Sequence, residues 1–367
     1  MSGRKTIALA AGGTGGHMFP AQSLAEEMRQ RGWKIILFSD ERGLRYGEGF
    51  PADEIIKLKA ASPSARGLSA KISAGFILLG SILRTKAVLA RKKPDVVVGF
   101  GGYPSVPATF AARLSGIPYG LHEQNAVLGR ANRLLAGKAK FIAHGFARLD
   151  KLPKTKAHIL ETGNPVRAAI AAKAGQGFKA PDHDAIIEIL VFGGSQGAKL
   201  FSTVIPKAIA MLPDALRVRV KMTQQARAEE EDDLRAAYDS AGVDCEIAPF
   251  FSDMPERLAR AHLVIARAGA STVTEIAAIG RPSVLVPLGI AMDDHQTANA
   301  EVLVKAGAAN RIGEADFTPE KLSKIMANIL EQPQKIAEMA MQAQKSAPRQ
   351  AAAKLADRVE QIVQGKS

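Results

Sequence analysis

Gly12-Gly13-Thr14-Gly15-Gly16-His17 sets an imidazole at the end of a glycine-rich turn, directly after the apolar run Ile7-Ala8-Leu9-Ala10. Such a turn between a strand and a helix lets backbone approach a phosphate or a sugar, with helix N–H groups aimed at it. His17 then falls at the start of that helix. There the positive end of the macrodipole disfavours imidazolium and favours the neutral form that a general base requires. The plainer alternative is a histidine hydrogen-bonded to loop backbone. His122-Glu123-Gln124-Asn125 closes another apolar run, and Glu123 is a weaker candidate for the base. A third loop, Gly99-Phe100-Gly101-Gly102-Tyr103-Pro104-Ser105, follows Val96-Val97-Val98. It would lie beside the first loop at the carboxyl edge of one sheet, where ligands bind.

The second half repeats the device. Gly193-Gly194-Ser195-Gln196-Gly197 follows Ile189-Leu190-Val191-Phe192, and Arg267-Ala268-Gly269-Ala270-Ser271-Thr272-Val273-Thr274-Glu275 follows Leu263-Val264-Ile265-Ala266. Strand, glycine turn and helix start make an anion site that suits a diphosphate. Thr272 and Glu275 also fit a capping box, which would reduce Glu275 to a helix cap. Asp293-Asp294-His295-Gln296 offers metal-like side chains but a single histidine and no companion cluster, so hydrogen bonding to a polyhydroxylated substrate is the expectation, and no metal site. Two familiar motifs fail on particular residues. Met18 stands where a dinucleotide fingerprint needs its third glycine, although Asp40 at the end of the second strand would suit a nicotinamide reading. Ala198 and Leu200 replace the glycine and the hydroxyl residue of a P-loop.

These loops need sheets behind them. Apolar runs predict strands at 5–11, 34–39, 95–100, 118–122, 140–143, 187–193, 217–222, 263–266 and 283–287, with helical patterning between them. Alternation of that kind implies a parallel sheet in each half. A chain of 367 residues is comfortable as two domains. The expected division is 1–165 and 166–348, with a helix at about 349–367 packing back onto the first. The fold class is therefore α/β, two doubly wound Rossmann-like domains facing across a cleft.

Composition narrows the partners. Aromatic residues are only 5%, which argues against base-stacking on nucleic acid, and the single Cys245 permits no intrachain disulfide. The apolar run after Arg4 and Lys5 is too short for a signal-peptide core and reads as the first strand. Of 49 Lys and Arg, 25 lie before Val166 with only 11 of the 36 Asp and Glu. The first half thus carries a formal +14 and the remainder −1, so a polyanionic partner belongs to the first half. Segment 71–93 has two apolar stripes, Ile72, Phe76, Leu79, Leu83 and Leu78, Ile82, Leu89, flanked by cations including Arg84 and Lys86. Its apolar run is too short to span a bilayer, which needs about 20 apolar residues, and its composition suits an interfacial helix on an anionic membrane, the alternative being a core helix beside solvated charge.

Gly-Gly-Thr-Gly-Gly-His, Gly-Gly-Tyr-Pro-Ser, His-Glu-Gln-Asn, Gly-Asn-Pro-Val-Arg, Gly-Gly-Ser-Gln-Gly-Ala, Arg-Ala-Gly-Ala-Ser-Thr-Val-Thr-Glu and His-Gln-Thr-x-Asn-Ala occur in that order between Gly12 and Ala300. Together they closely resemble the MurG family of bacterial peptidoglycan N-acetylglucosaminyltransferases, which are GT-B glycosyltransferases. The resemblance implies transfer of N-acetylglucosamine from UDP-GlcNAc to undecaprenyl-pyrophosphoryl-MurNAc-pentapeptide, with inversion, without metal or cofactor, at the cytoplasmic face of the cell membrane. It implies donor contacts at Thr14, Gly15, Gly16, Asn125, Arg167, Ser195, Phe251, Ala270, Ser271, Thr272, Val273, Thr274, Glu275, His295 and Gln296, with Arg267 near the diphosphate. Glu275 would hold ribose hydroxyls, in competition with the capping reading. Gly101, Gly102 and Tyr103 fall on the acceptor side. Phe251 stands where the family often has isoleucine, and His295 where it can have glutamine. A UDP-GlcNAc epimerase of the same architecture, and a non-catalytic nucleotide-sugar-binding protein, are the alternatives. The sequence names no protein partner.

Overall fold

The computed structural model describes residues 4–46, 49–58, 68–193, 199–289 and 292–365. Within the helix that begins at Leu68, the described side chains are Ser73 and those from Gly75 onward. The chain divides into two compact units, Met1–Arg167 with Pro348–Ser367, and Ala168–Ala347.

Unit one is built on seven parallel strands: β1 (Thr6–Ala10), β2 (Lys34–Ser39), β3 (Glu54–Lys57), β4 (Val96–Gly99), β5 (Tyr119–Glu123), β6 (Phe141–His144) and β7 (His158–Glu161). Their order is β3-β2-β1-β4-β5-β6-β7, so the winding reverses between β1 and β4. Open parallel sheets bind ligands at the carboxyl ends of the strands beside such a reversal. The central strands bury both faces, as parallel strands under helical layers must. Ile7, Leu9, Ile35 and Leu37 enter one core and Ala8, Ala10, Ile36 and Phe38 the other, the period-two alternation of a strand. Leu355, Ala356 and Val359 of the helix Ala351–Val363 complete the first of these cores. Arg31 joins that helix to Gly15–Gln30 through Asp357 and Glu360, at 2.7 and 2.9 Å.

Unit two carries β8 (Ile187–Phe192), β9 (Val220–Gln225), β10 (Asp244–Ala248), β11 (Leu263–Ala266), β12 (Ser283–Leu285) and β13 (Ala309–Arg311), all parallel, in the order β10-β9-β8-β11-β12-β13. Its reversal point lies between β8 and β11, which brings the carboxyl ends of those two strands to one edge. The expected strand 217–222 begins instead at Val220, because Asp214–Arg217 is a turn of helix.

The helix Leu68–Lys92 separates the two apolar stripes of its sequence. Ile82, Val88 and Leu89 are buried in the core, while Phe76, Leu79 and Leu83 are 71%, 52% and 57% exposed. Arg84 and Lys86 are exposed on the same helix. The side chain of Ile72 lies outside the described residues.

Candidate active site

The first glycine loop is clamped from two sides. Asp40 Oδ1 accepts the N–H groups of Gly13 at 2.8 Å and Gly43 at 2.9 Å. A Cβ on Gly12 would come within 2.5 Å of that oxygen and 2.8 Å of Pro104, so only glycine fits this approach. Asp40, the residue that would suit a nicotinamide reading, is therefore the brace of the loop. Thr14 precedes the helix Gly15–Gln30, and His17 stands in its first turn with Gly15 and Gly16. The third loop closes over the imidazole. Gly101 and Gly102 both take positive φ, and a Cβ on Gly102 would meet His17 Cδ2 at 3.1 Å and Nε2 at 3.3 Å. Tyr103, next in that loop, is exposed.

His17 Nδ1 lies 3.0 Å from Gln124 Oε1. Gln124 Nε2 reaches His122 Nδ1 at 3.1 Å, and His122 Nε2 reaches the Gly163 carbonyl at 3.3 Å. Burial pushes the His122 imidazole down to about 4, against the raising effect of its bond to Gly163. Glu123, the weaker candidate base, is buried, and its two oxygens accept from Asn125 N and Nδ2, Gly129 N and Asn132 Nδ2 at 2.8–3.1 Å. Four donors on a buried carboxylate make a loop brace that occupies both oxygens. Asn125 is held by this brace. Asn164 Nδ2 donates to the Gln124 carbonyl, and Ser23 Oγ to that of Val166, which fastens the Gly-Asn-Pro-Val-Arg segment beneath the same edge. Arg167 ends unit one with its guanidinium 4.4 Å from the centre of the Phe19 ring.

In unit two the loop after β11 leads into the helix Ala270–Ile279, with Gly269 at its N-cap. Thr272 is the third helical residue, so it cannot open a capping box, and Glu275 is too far into the helix to close one. The capping reading of Glu275 falls for that reason. Ala270, Val273, Thr274 and Glu275 are buried, while Ser271 and Thr272 are half-buried at the helix start. The first-turn N–H groups there have no helical carbonyl to reach, and Gly269 offers no side chain to cap them. Arg267 is held by several protein groups. Its Nη2 pairs with Glu314 Oε1 at 2.7 Å, its Nη1 reaches the Val286 carbonyl at 3.3 Å, and it lies over Phe201. Glu314 in turn accepts the Gly289 N–H at 2.6 Å. Burial alone would raise the Glu314 carboxyl, but Gly289 and Arg267 outweigh it and hold it below the usual carboxylate range. Arg267 thus braces the loop after β12, through Glu314 and the Val286 carbonyl.

Gln296 Oε1 accepts from the Leu288 amide at 3.0 Å, and Asn299 Nδ2 donates to the Ala268 carbonyl, so the helix His295–Lys305 is tied to both loops. His295 opens that helix. Asp293 and Asp294 before it take positive φ, a strain that collects at ligand sites. The described residues hold no group of three His, Cys, Asp or Glu that could bind a metal. Phe251 is buried under Arg257, 4.1 Å from its ring centre, while neighbouring Phe250 is exposed. Arg257 is pinned there by Glu246 and Asp253. Ser195 lies outside the described residues.

Unit one therefore gathers Thr14, Gly15, Gly16, His17, Gly101, Gly102 and the 122–125 cluster at one sheet edge, and unit two gathers Arg267, Ala270–Glu275 and Gln296 at another. The residues that sequence reasoning passed over are Gln124 as the ring partner of His17, with His122 behind it, and Glu314 as the partner of Arg267. The first pair had a signal: residues two apart at a strand end share a face.

Comparison with known proteins finds one family along both units. Residues 7–144 match the N-terminal domain model of glycosyltransferase family 28 and residues 188–358 its C-terminal domain model. A relative from Maricaulis maris (strain MCS10), named UDP-N-acetylglucosamine--N-acetylmuramyl-(pentapeptide) pyrophosphoryl-undecaprenol N-acetylglucosamine transferase, is 46% identical over 97% of both chains. The crystal structure of Acinetobacter baumannii MurG is similar with a TM-score of 0.77 and 31% identity, covering 97% of this chain and 99% of its own. A crystal structure of UDP-N-acetylglucosamine 2-epimerase, covering 100% of this chain and 98% of its own, shares the fold alone, with a TM-score of 0.69 at 15% identity.

Proposed function

The chain belongs to glycosyltransferase family 28, among the UDP-N-acetylglucosamine--N-acetylmuramyl-(pentapeptide) pyrophosphoryl-undecaprenol N-acetylglucosamine transferases, and from that premise we infer that His17 is the base of an inverting transfer. The enzyme moves N-acetylglucosamine from UDP-GlcNAc to the MurNAc 4-hydroxyl of the lipid-linked pentapeptide. The observation that carries the assignment of the base is the seat of His17: a half-buried imidazole on the first turn of a helix, bordered by Gly101 and Gly102, which place no side chain against it.

Four tasks divide among the residues. His17 takes the proton of the acceptor hydroxyl as that oxygen attacks the anomeric carbon, and the loop 101–103 carries the acceptor side. The bond from the anomeric carbon to the diphosphate oxygen breaks with its electron pair leaving on UDP. The growing charge on UDP is met by the first-turn N–H groups at Ala270–Thr272, backed by Arg267, and by the loop at Ser195. Glu275, His295 and Gln296 hold hydroxyls of the donor, Phe251 meets the base through its main chain, and Thr14, Gly15, Gly16, Asn125 and Arg167 complete the donor contacts. Arg267 serves as a field source and a brace rather than a direct ligand, since Glu314 and a carbonyl already occupy its guanidinium.

The exposed Phe76, Leu79 and Leu83, with Arg84 and Lys86 beside them, rest on the anionic surface of the membrane that holds the acceptor's lipid. This supports a peripheral enzyme at the cytoplasmic face. No helix among the described residues is long and apolar enough to cross a membrane.

Product analysis by NMR tests the reaction. UDP-GlcNAc incubated alone with the protein stays unchanged, and addition of the lipid-linked MurNAc-pentapeptide yields a β-linked disaccharide. An α-linkage would remove inversion, and epimerised UDP-sugar without acceptor would favour the epimerase reading.

A further inference from the structure

We propose that Gln124 and His122 are positioning residues that fix the tautomer of His17, leaving Nε2 as the nitrogen that takes the acceptor's proton. The proposal rests on the reading of His17 as the base. It follows from a chain of hydrogen bonds in which every direction is determined. The Gly163 carbonyl can only accept, so His122 Nε2, 3.3 Å away, carries a proton. Gln124 Nε2 can only donate, so the His122 Nδ1 it faces at 3.1 Å is the bare nitrogen of a neutral ring. Gln124 Oε1 can only accept, so His17 Nδ1, at 3.0 Å, carries its proton. In the neutral His17 ring the lone pair is then on Nε2.

Three further observations hold the chain in this sense. Gln124 Nε2 also lies 3.4 Å from the His122 carbonyl, so the amide's NH2 end faces two acceptors. Turned over, its oxygen would oppose a carbonyl oxygen and a ring lone pair. His122 is fully buried, which keeps it neutral across the physiological range and preserves the bare Nδ1. The Nε2 edge of His17 borders Gly102, where no side chain intervenes. Free neutral histidine prefers its proton on Nε2, the nitrogen that must be bare here, so the network reverses an intrinsic preference.

The proton balance is direct. The acceptor O–H gives its proton to Nε2, the new carbon–oxygen bond forms, and the anomeric carbon–phosphate oxygen bond breaks with its pair going to UDP. The imidazolium keeps its Nδ1–H on the Gln124 oxygen and afterwards returns the Nε2 proton to water. Tautomer control of this kind is a known lever in hydrolases, where loss of the orienting group costs turnover although the base remains.

Nitrogen NMR of the full chain with 15N-labelled histidine reads the proposal, with His17 assigned by its absence from the His17→Ala spectrum. At a pH where the ring is neutral, His17 shows a protonated Nδ1 and a bare Nε2, and His122 shows the reverse. A His17 protonated mainly on Nε2 overturns the proposal. In Gln124→Ala, His17 moves toward the Nε2–H form and kcat falls on the order of 10- to 100-fold, with KM for UDP-GlcNAc within about twofold. An unchanged tautomer or unchanged kcat in a folded Gln124→Ala overturns it too. A purely structural role would lower the folded fraction and leave the tautomer alone, and should Gln124→Ala not fold, the wild-type spectrum decides. Full turnover in His17→Ala would remove the base reading while leaving the tautomer measurement intact, so the two failures are separable.

Discussion

His17→Ala lowers kcat by about 10²- to 10⁴-fold, the range a positioned general base supplies, and leaves UDP affinity nearly unchanged. The separation of the two effects is the point. His17 sits at the sheet edge of unit one, whereas the diphosphate is assigned to the helix start at Ala270 in unit two, so removing the imidazole takes away proton transfer and little donor binding. The substitution is also mild for the fold. The ring is half-buried, its polar tie is to Gln124, and alanine is the best helix former for the position it leaves. Steady-state kinetics with a UDP-binding titration on the same preparation check it. Turnover within a few-fold of wild type would take His17 out of the mechanism, and Glu123 would be a poor heir because four donors already hold its carboxylate.

Phe76→Asp combined with Leu79→Asp abolishes binding to anionic vesicles while the protein stays folded. Both side chains are more than half exposed, so aspartate costs the core nothing there. At a membrane they are the apolar anchors. Burying what is still exposed of each contributes roughly 1–2 kcal/mol, so losing both weakens partitioning by at least about tenfold. Cations of the same helix add about 1 kcal/mol each near anionic lipid. Lys92 is the exception, since it pairs with Glu54 at 2.6 Å. Vesicle flotation with wild-type and doubly substituted protein reads the effect, and circular dichroism confirms the fold. Unchanged flotation would move the membrane contact away from this helix.

The central strands were legible in the sequence because both of their faces are buried. A strand covered on both sides reads as a continuous apolar run, as Val96-Val97-Val98 and Leu263-Val264-Ile265 do. The four strands that no such run announced, β3, β7, β10 and β13, are the four edges of the two sheets. Each is partly exposed and carries polar or charged residues, as in Asp244-Cys245-Glu246, so neither composition nor periodicity marks it. The same logic divides the two stripes of the helix Leu68–Lys92. Sequence gives both as apolar, and only the packing of Ile82 and Leu89 against the sheet decides that Phe76, Leu79 and Leu83 face outward.

The site was legible where its chemistry is local. Glycine turns after strands, and a histidine at a helix start, are short-range patterns, and the structure sets them at the sheet edges. What stayed hidden is long-range pairing. Arg267 and Glu314 are 47 residues apart and His17 and Gln124 are 107 apart, so no spacing rule joins them. Two local alternatives fall to tertiary structure. Asp40 would suit a nicotinamide reading and is a clamp on the glycine loop. Thr272 and Glu275 look like a capping box, yet their helix already begins at Ala270.

The most direct test of the account is UDP release from UDP-GlcNAc in excess EDTA, measured with and without the lipid-linked MurNAc-pentapeptide. Release that requires the acceptor and survives the chelator is expected if, as proposed, a helix start and a braced arginine stabilise the leaving diphosphate. Release that EDTA abolishes, or an absence of release from protein that still binds UDP, would contradict it.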